Sequence, residues 1–495
     1  MDDASQRKIR LLVWVLALLA GCASAILCRL VLGSMPHIPD ELAYLYQGKI
    51  FASGKLSVEV PSAPDAFTSE WDHILRTGGR WRTIYPPGWP LLLAVGWLIH
   101  APWIINPLLV VFSTAGIFHV ARLLFDVRTG LYSVIAFVAS PIVLLMGAGF
   151  MSHQAALCFS IWCVFFLIRA TKNDSEFSSR TMKNFALAGL FGAFAFVIRP
   201  YTATTLLLPA FIWSTARAEN RLSAIVNTTL GATPLLLLFI FYNYLQFDHV
   251  FRTGYAFDPD ARFRGSLTGY FFQHVPWYWS NINRSLWGFP WPDLLILLPL
   301  VKPHEGQAKD ALLFLCFVCL MFAYSFFYYT DIVYSGPRYV FEAVGFLVIL
   351  VARGIVVLSD WFKKFSRRIR IGFLLLFIYP LFVILPQAMS YHEQGYHGQP
   401  QELVQVVKQR QIDNALILIA GDPFVYRTFF LQNALEPQKG PIVFAKDIPA
   451  LREELYRAYP RKEVWRLSIQ LTFIPGQNQY SDRSAMTSLR WEKLR

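Results

Sequence analysis

Long apolar runs separated by short basic segments recur along most of the chain. Each run approaches the length of about 20 residues that an α-helix needs to cross a hydrocarbon layer. The pattern predicts spanning helices at 11–28, 103–123, 130–148, 152–169, 184–198, 203–217, 224–245, 291–302, 310–329, 339–358 and 371–388. With the N-terminus inside, alternate connections should hold the lysines and arginines. Arg7–Arg10, Arg122–Arg128, Arg169–Lys183, Arg217–Arg221, Lys302–Lys309 and Lys363–Arg370 all fall on that side. The other side receives three long segments, 29–102, 246–290 and 389–495. Within the first, Trp89–Ile99 is apolar but too short to span, so it is expected to dip into or lie along the interface. The second is crowded with Trp277, Tyr278, Trp279, Trp287 and Phe289, followed by Trp291, as an aromatic belt at headgroup level would be.

The last segment is polar and mixed in charge. It predicts a helix over Leu403–Ile412, strands at Ala415–Ala420, Pro441–Ala445 and Glu463–Ile469, and a helix over Ile448–Tyr459. Strands alternating with helices imply a compact α/β unit with a partly parallel sheet. Gly421-Asp422-Pro423 reads as a strand-to-helix turn, because no glycine-rich nucleotide fingerprint surrounds it. The expected organisation is an all-α polytopic bundle of about eleven helices over 1–390, with an extracytoplasmic α/β domain over 391–495.

Composition supports the membrane assignment. Hydrophobic residues make up 55% of the 495 residues and charged ones 16%, with mean hydropathy +0.41, whereas soluble proteins carry about 25% charged residues. The net charge of +13 lies in clusters between apolar runs, where it sets orientation and offers no nucleic-acid signature. All six cysteines lie inside apolar runs, and Cys316 and Cys319 lack a second ligand pair, so they read as small apolar residues. Arg7, Lys8 and Arg10 before Leu11–Leu27 resemble a signal peptide, but Arg29 follows without a small-residue cleavage site, so a retained first helix is expected. There is no internal repeat of the kind many transporters carry.

Chemistry begins at Pro39-Asp40-Glu41, directly after the first helix. Two carboxylates at a water–lipid boundary suit a general base, and they suit the start of a helix equally. The two roles are compatible.

These residues, followed by Tyr85-Pro86-Pro87-Gly88-Trp89-Pro90-Leu91-Leu92, resemble the GT-C glycosyltransferases of the protein O-mannosyltransferase and aminoarabinose-transferase branch (glycosyltransferase family 39-like). Ser152-His153, Ile198-Arg199-Pro200 and Gly336-Pro337-Arg338-Tyr339 add to the likeness. So do the C-terminal stretches Asn414-Ala415-Leu416-Ile417, Pro441-Ile442-Val443-Phe444-Ala445 and Tyr459-Pro460. The resemblance implies a sugar donor on a polyprenyl phosphate, a glycan, lipid or protein acceptor, and inversion at the anomeric carbon. It also implies a bacterial inner (plasma) membrane location with a cytoplasmic N-terminus, and Asp40 as the base that deprotonates the acceptor. Glu41 becomes a neighbouring acceptor-positioning or metal-contacting group.

A lipid phosphate leaves readily but needs positive charge as its bond breaks, and arginine's fork matches phosphate oxygens. Arg199 and Arg338 at outer helix ends and Arg82 in the first long segment are the candidates for the donor phosphate. Tyr44, Trp81, Tyr85, His153 and Tyr339 are candidates for the substrate walls. No cofactor is required. A divalent cation at His153, His73 or His274 together with Asp40 or Glu41 stays open, since no ligand spacing marks one. The alternative from another class is a transporter or flippase for a lipid-linked sugar, which predicts charges deep in the spans.

Overall fold

The computed structural model describes residues 3–495 apart from 70–71, 173–177, 258–266, 290–291, 302–305, 328, 394–405, 408–409, 411, 422 and 475–482. The chain opens with α1 (Asp3–Leu30), then α2 (Pro39–Ala52), a three-stranded sheet of β1 (Val58–Glu59), β2 (Ile74–Thr77) and β3 (Arg80–Thr83), and α3 (Gly88–Leu98). The bundle continues with α4 (Ile105–Leu124), α5 (Val127–Val138), α6 (Pro141–Ala148), α7 (His153–Ala170), α8 (Ser179–Ile198), α9 (Pro200–Arg217) and α10 (Arg221–Phe247). After α11 (Leu267–Trp287) and α12 (Leu298–Val301) come α13 (Gln307–Ser325), a hairpin of β4 (Ile332–Val333) and β5 (Gly336–Pro337), α14 (Val344–Trp361), α15 (Ser366–Phe382) and α16 (Ile384–Glu393).

Among the described residues, eight helices have the length and hydropathy to cross a membrane, or nine if α5 and α6, bent by 60°, count as one span. Many of their outer faces are exposed and apolar, for example Leu18 and Leu19 on α1, Leu237, Leu238 and Phe241 on α10, and Leu375 and Phe382 on α15. Such faces are stable only in lipid, and the chain is a multi-pass membrane protein. Contacts between helix ends fix which ends lie together. The Asn106 amide donates to the carbonyls of Gly149 and Met151, and Arg199 donates to the Tyr324 hydroxyl. The starts of α4, α7 and α9 therefore gather with the ends of α6, α8 and α13. Arg122, Arg169 and Arg217 consequently lie toward the opposite end of the bundle.

Three expectations change. The run expected to span at 203–217 forms α9, which is not among the helices apolar enough to cross a membrane. The segment expected to span at 291–302 is a 3-10 turn over Pro292–Leu297 followed by the four-residue α12, too short to cross. Pro292 and Pro299 explain the breakage, since neither supplies a backbone donor. The aromatic segment before it is a belt only in part, with Trp277 and Trp279 half-buried and Phe289 exposed. It forms α11, and Tyr278 and Trp287 are buried inside the bundle.

At the C-terminus, β6 (Ala415–Ala420), β7 (Ile442–Lys446), β8 (Glu463–Ile474) and β9 (Arg483–Lys493) form one sheet in the order β7-β6-β8-β9. β6 pairs parallel with β7 and β8, and β9 returns antiparallel along β8, a strand the alternation had not predicted. Helices cover Pro423–Phe430 and Arg452–Ala458; most of the helix expected over 403–412 lies outside the described residues.

Candidate active site

α2 begins at Pro39 and carries Asp40 and Glu41 in its first turn, where the helix dipole favours acids. The two carboxylates point to different tasks. Glu41 is fully buried and accepts from the backbone N–H groups of His37 at 2.9 Å and Phe150 at 2.7 Å, and from the Tyr334 hydroxyl. Reaching back to His37, one residue before the N-cap Ile38, ties the chain entering α2 to its first turn, so the helix-starting role falls to Glu41. Burial pushes its carboxyl up to about 7 despite these donors.

Asp40 faces the bundle and accepts from Arg338 at 3.0 Å. Burial opposes its charge, but Arg338, His73 and a hydrogen bond from Tyr85 outweigh that and hold the carboxyl down at about 2. Arg338 also pairs through Nε with Asp331 at 3.1 Å and donates to the Tyr339 hydroxyl at 3.0 Å. Burial raises the Asp331 carboxyl against the pull of Arg338.

A second arginine closes the other side. Arg199, between α8 and α9, pairs through Nε with Glu342 at 3.1 Å and donates to Ser152 at 3.3 Å and Tyr324 at 3.2 Å. Glu342 is fully buried and also meets His153 Nδ1 at 3.0 Å. Tyr44 shares a hydrogen bond with Ser152 at 3.2 Å and packs on Tyr85 with ring centroids 4.3 Å apart. Tyr324 stacks on Tyr339 at 5.1 Å, which joins the two arginine clusters into one network.

Local sequence explains the placement. A Cβ at Gly88 would meet the backbone of Val197 at 2.7 Å, so the Pro86-Pro87-Gly88-Trp89 turn packs directly on the last turn of α8, just before Arg199. The Trp89 indole N–H donates to the Phe150 carbonyl at 2.7 Å and ties the same turn to the start of α7. The β4–β5 hairpin turns through Tyr334 and Ser335, both left-handed at φ 52° and 75°. Non-glycine residues there cost about 1–3 kcal/mol each. The Tyr334 ring lies so close over Gly149 that any side chain there would collide, and its hydroxyl reaches Glu41, contacts that oppose this strain beside Asp331 and Arg338.

Of the residues expected from the sequence, Asp40, Tyr44, Tyr85, His153, Arg199, Arg338 and Tyr339 are thus brought together, with Glu41 behind Asp40. Arg82 and Trp81 are not. Trp81 is buried with Tyr46, Phe67 and Phe430, and the Arg82 guanidinium lies over the Phe247 ring. Asp331, Tyr334, Tyr324 and Glu342 were not anticipated. Glu342 had a signal, because an acid inside an apolar run needs a partner. Tyr255, packed on Tyr85 at 6.0 Å, also joins the site from the segment after α10. Among the described residues, no three His, Cys, Asp or Glu side chains converge as metal ligands. His153 faces a carboxylate already shared with an arginine, a donor set that does not fit a cation.

Residues 86–244 match the family model described as dolichyl-phosphate-mannose-protein mannosyltransferase. No curated protein matches the chain by sequence. Among solved structures, the chain resembles ArnT from Cupriavidus metallidurans in the apo state, at 13% identity over 94% of this chain and 93% of that one, with TM-score 0.54. The same enzyme bound to undecaprenyl phosphate gives 10% identity over 98% of each chain, with TM-score 0.52. The archaeal oligosaccharyltransferase AglB from Archaeoglobus fulgidus, in complex with an inhibitory peptide and a dolichol-phosphate, gives 10% identity over 93% of this chain and 69% of that one, with TM-score 0.50. The fold is therefore the GT-C membrane architecture with a small C-terminal sheet domain.

Proposed function

We propose that this protein is a membrane glycosyltransferase that moves a hexosyl or pentosyl group from a polyprenyl phosphate to an acceptor hydroxyl, with inversion. One observation carries the reading: a carboxylate and two arginines converge at one end of a lipid-facing bundle, with Asp40 on Arg338 and Arg199 one tyrosine pair away. The matched mannosyltransferase family and the lipid phosphates bound by ArnT and AglB support the same donor chemistry.

In this reading Asp40 removes the acceptor proton as the acceptor oxygen attacks the anomeric carbon, and the bond to the phosphate breaks. Arg338 and Arg199 hold the departing phosphate, whose charge grows as the bond breaks. Tyr44, Tyr85 and Tyr339 form the walls around the sugar, and Glu41 and His153 fix the groups beside them. Trp81 and Arg82 take scaffold roles in the first long segment. The protein would lie in a bacterial inner membrane with its basic helix ends cytoplasmic and the site outside.

The test is turnover of a panel of polyprenyl-phosphate sugars by wild type and Asp40→Asn in nanodiscs. Wild type is expected to release sugar, and the variant to fall by about 10²–10⁴-fold, the usual contribution of a general base. Full turnover in the variant would remove Asp40 from the mechanism. Transbilayer movement of a labelled lipid without sugar release would replace the transferase with a flippase.

A further inference from the structure

Arg338 touches two carboxylates at once, Asp40 through one terminal nitrogen and Asp331 through Nε. Its terminal nitrogens also serve the Tyr339 hydroxyl, and all these partners are largely shielded from water. The Nε–Asp331 contact at 3.1 Å is an ion pair without hydrogen-bond alignment, so Asp331 can hold the positive charge beside it while the terminal nitrogens, which make the directed bonds, change partner. That matters because Asp40 ion-paired to Arg338 is a weak base, and the phosphate needs the same cation.

We propose that Arg338 is a counter-charge exchanged between Asp40 and the donor phosphate, with Asp331 as the fixed pivot that holds the guanidinium in place during the exchange. The proposal rests on the reading of Asp40 as base and of the donor as a lipid phosphate. Donor binding draws a terminal N–H of Arg338 away from Asp40 and frees its lone pair for the acceptor proton. As the anomeric carbon–oxygen bond to phosphate breaks, its electron pair stays on the phosphate while Asp40 becomes neutral by taking the proton. The negative charge has moved from one partner of Arg338 to the other, so the cation is never left uncompensated.

Other groups around Asp40 do not perform this exchange. His73 approaches from the turn before β2, and Tyr85 and Tyr255 from the two long segments. Tyr44 and Glu41 lie on its own helix, where Glu41 is committed to His37, Phe150 and Tyr334. Arg199 interacts with Tyr44 but is anchored on Glu342.

The exchange makes a prediction opposite to that for a simple binding residue. Polyprenyl phosphate without sugar is the probe, and its affinity is measured on the full chain in nanodiscs. Asp40→Asn is expected to bind it at least about tenfold more tightly than wild type, because the phosphate no longer competes for Arg338 through a charged hydrogen bond. In an Arg338→Gln background the same substitution should change affinity little, since there is no shared cation left. Where Arg338→Gln does not fold, Arg338→Lys serves, because an ammonium lacks the planar fork whose separate Nε and terminal nitrogens reach Asp331 and a second partner, and the tightening should shrink. Equal affinity of wild type and Asp40→Asn overturns the exchange. Tightening that persists in full without the arginine overturns it too, since it would be direct repulsion between Asp40 and phosphate. Failure of wild type to bind the lipid phosphate refutes the donor reading itself. Tighter binding with undiminished turnover in Asp40→Asn keeps the exchange and removes the base.

Discussion

Adjacent carboxylates on one helix turn have opposite environments, and the consequence is visible in how each responds to pH. Asp40, held down at about 2 by Arg338 and His73 against its burial, keeps its charge across any pH at which the protein is handled. In the donor-free protein its titration should leave no acid limb above pH 4 in kcat/KM. Glu41 differs, because burial raises it to about 7 from an ordinary value of 4.5. A carboxyl whose folded value is raised binds more protons when folded than when unfolded between those two values. Its contribution to stability is fully present below about 4.5 and is lost as pH rises through about 7. Wild type should therefore show an apparent melting temperature a few degrees higher at pH 5 than at pH 7.5 from this residue alone. In Glu41→Gln that part of the difference should vanish, as a thermal-shift series across pH would show. An unchanged pH dependence in the variant assigns the effect elsewhere.

At the scale of elements, α8 and α10 pack backbone to backbone. A Cβ at Gly189 would collide with the Thr228 carbonyl, and one at Gly231 with the Ala186 carbonyl. Small residues allow this approach, and van der Waals contact is what holds helices together in lipid. Gly231→Val should lower stability by about 1–3 kcal/mol or more through overpacking, seen as a drop in detergent melting temperature, while an exposed Leu237→Val on the same helix should change little. Most helices were legible because an apolar run of spanning length permits little else. The exceptions have physical causes. Gln273, Asn281, Asn283 and Arg284 make α11 look like a loop, yet Asn281 and Asn283 satisfy themselves on the carbonyls of Trp277 and Trp279. The site was legible where charge stood at a helix end, as with Asp40, Arg199 and Arg338. It was not legible at Tyr334 or Asp331, which depend on a short strained hairpin with no run or period to announce it. Trp81 misled because an aromatic next to a polar segment suits a sugar wall and a domain core equally well.

For the whole molecule, the decisive feature is that the C-terminal sheet shares its apolar core with the first long segment. Leu42, Tyr46, Ile50, Phe67, Ile74 and Trp81 form one cluster with Leu416, Leu418, Phe429, Phe430 and Val443. α2 is thereby buried on two sides, with Asp40 and Tyr44 toward the bundle and Leu42 and Tyr46 toward the sheet domain. Polar ties reinforce the joint. Lys49 donates to the carbonyls of Leu431 and Asn433, and Arg427 pairs with Asp72 at 3.0 Å with both side chains nearly buried. Burial brings the Lys49 amine down to about 8. The helix that carries Asp40 is thus positioned from a domain whose described residues add no charged group to the arginine and carboxylate network. Removing one partner of a buried ion pair costs about 3–5 kcal/mol, because the other is left uncompensated. Arg427→Ala should therefore loosen the first long segment, raising protease cleavage within 53–87, and lower turnover at the same time. Adding Asp72→Asn removes the stranded charge and should recover a large part of both. If cleavage rises in Arg427→Ala while turnover stays at the wild-type level, the sheet domain is a cover and not a positioning support. The parallel recovery of both in the double variant would instead tie the geometry at Asp40 to a core built from opposite ends of the chain.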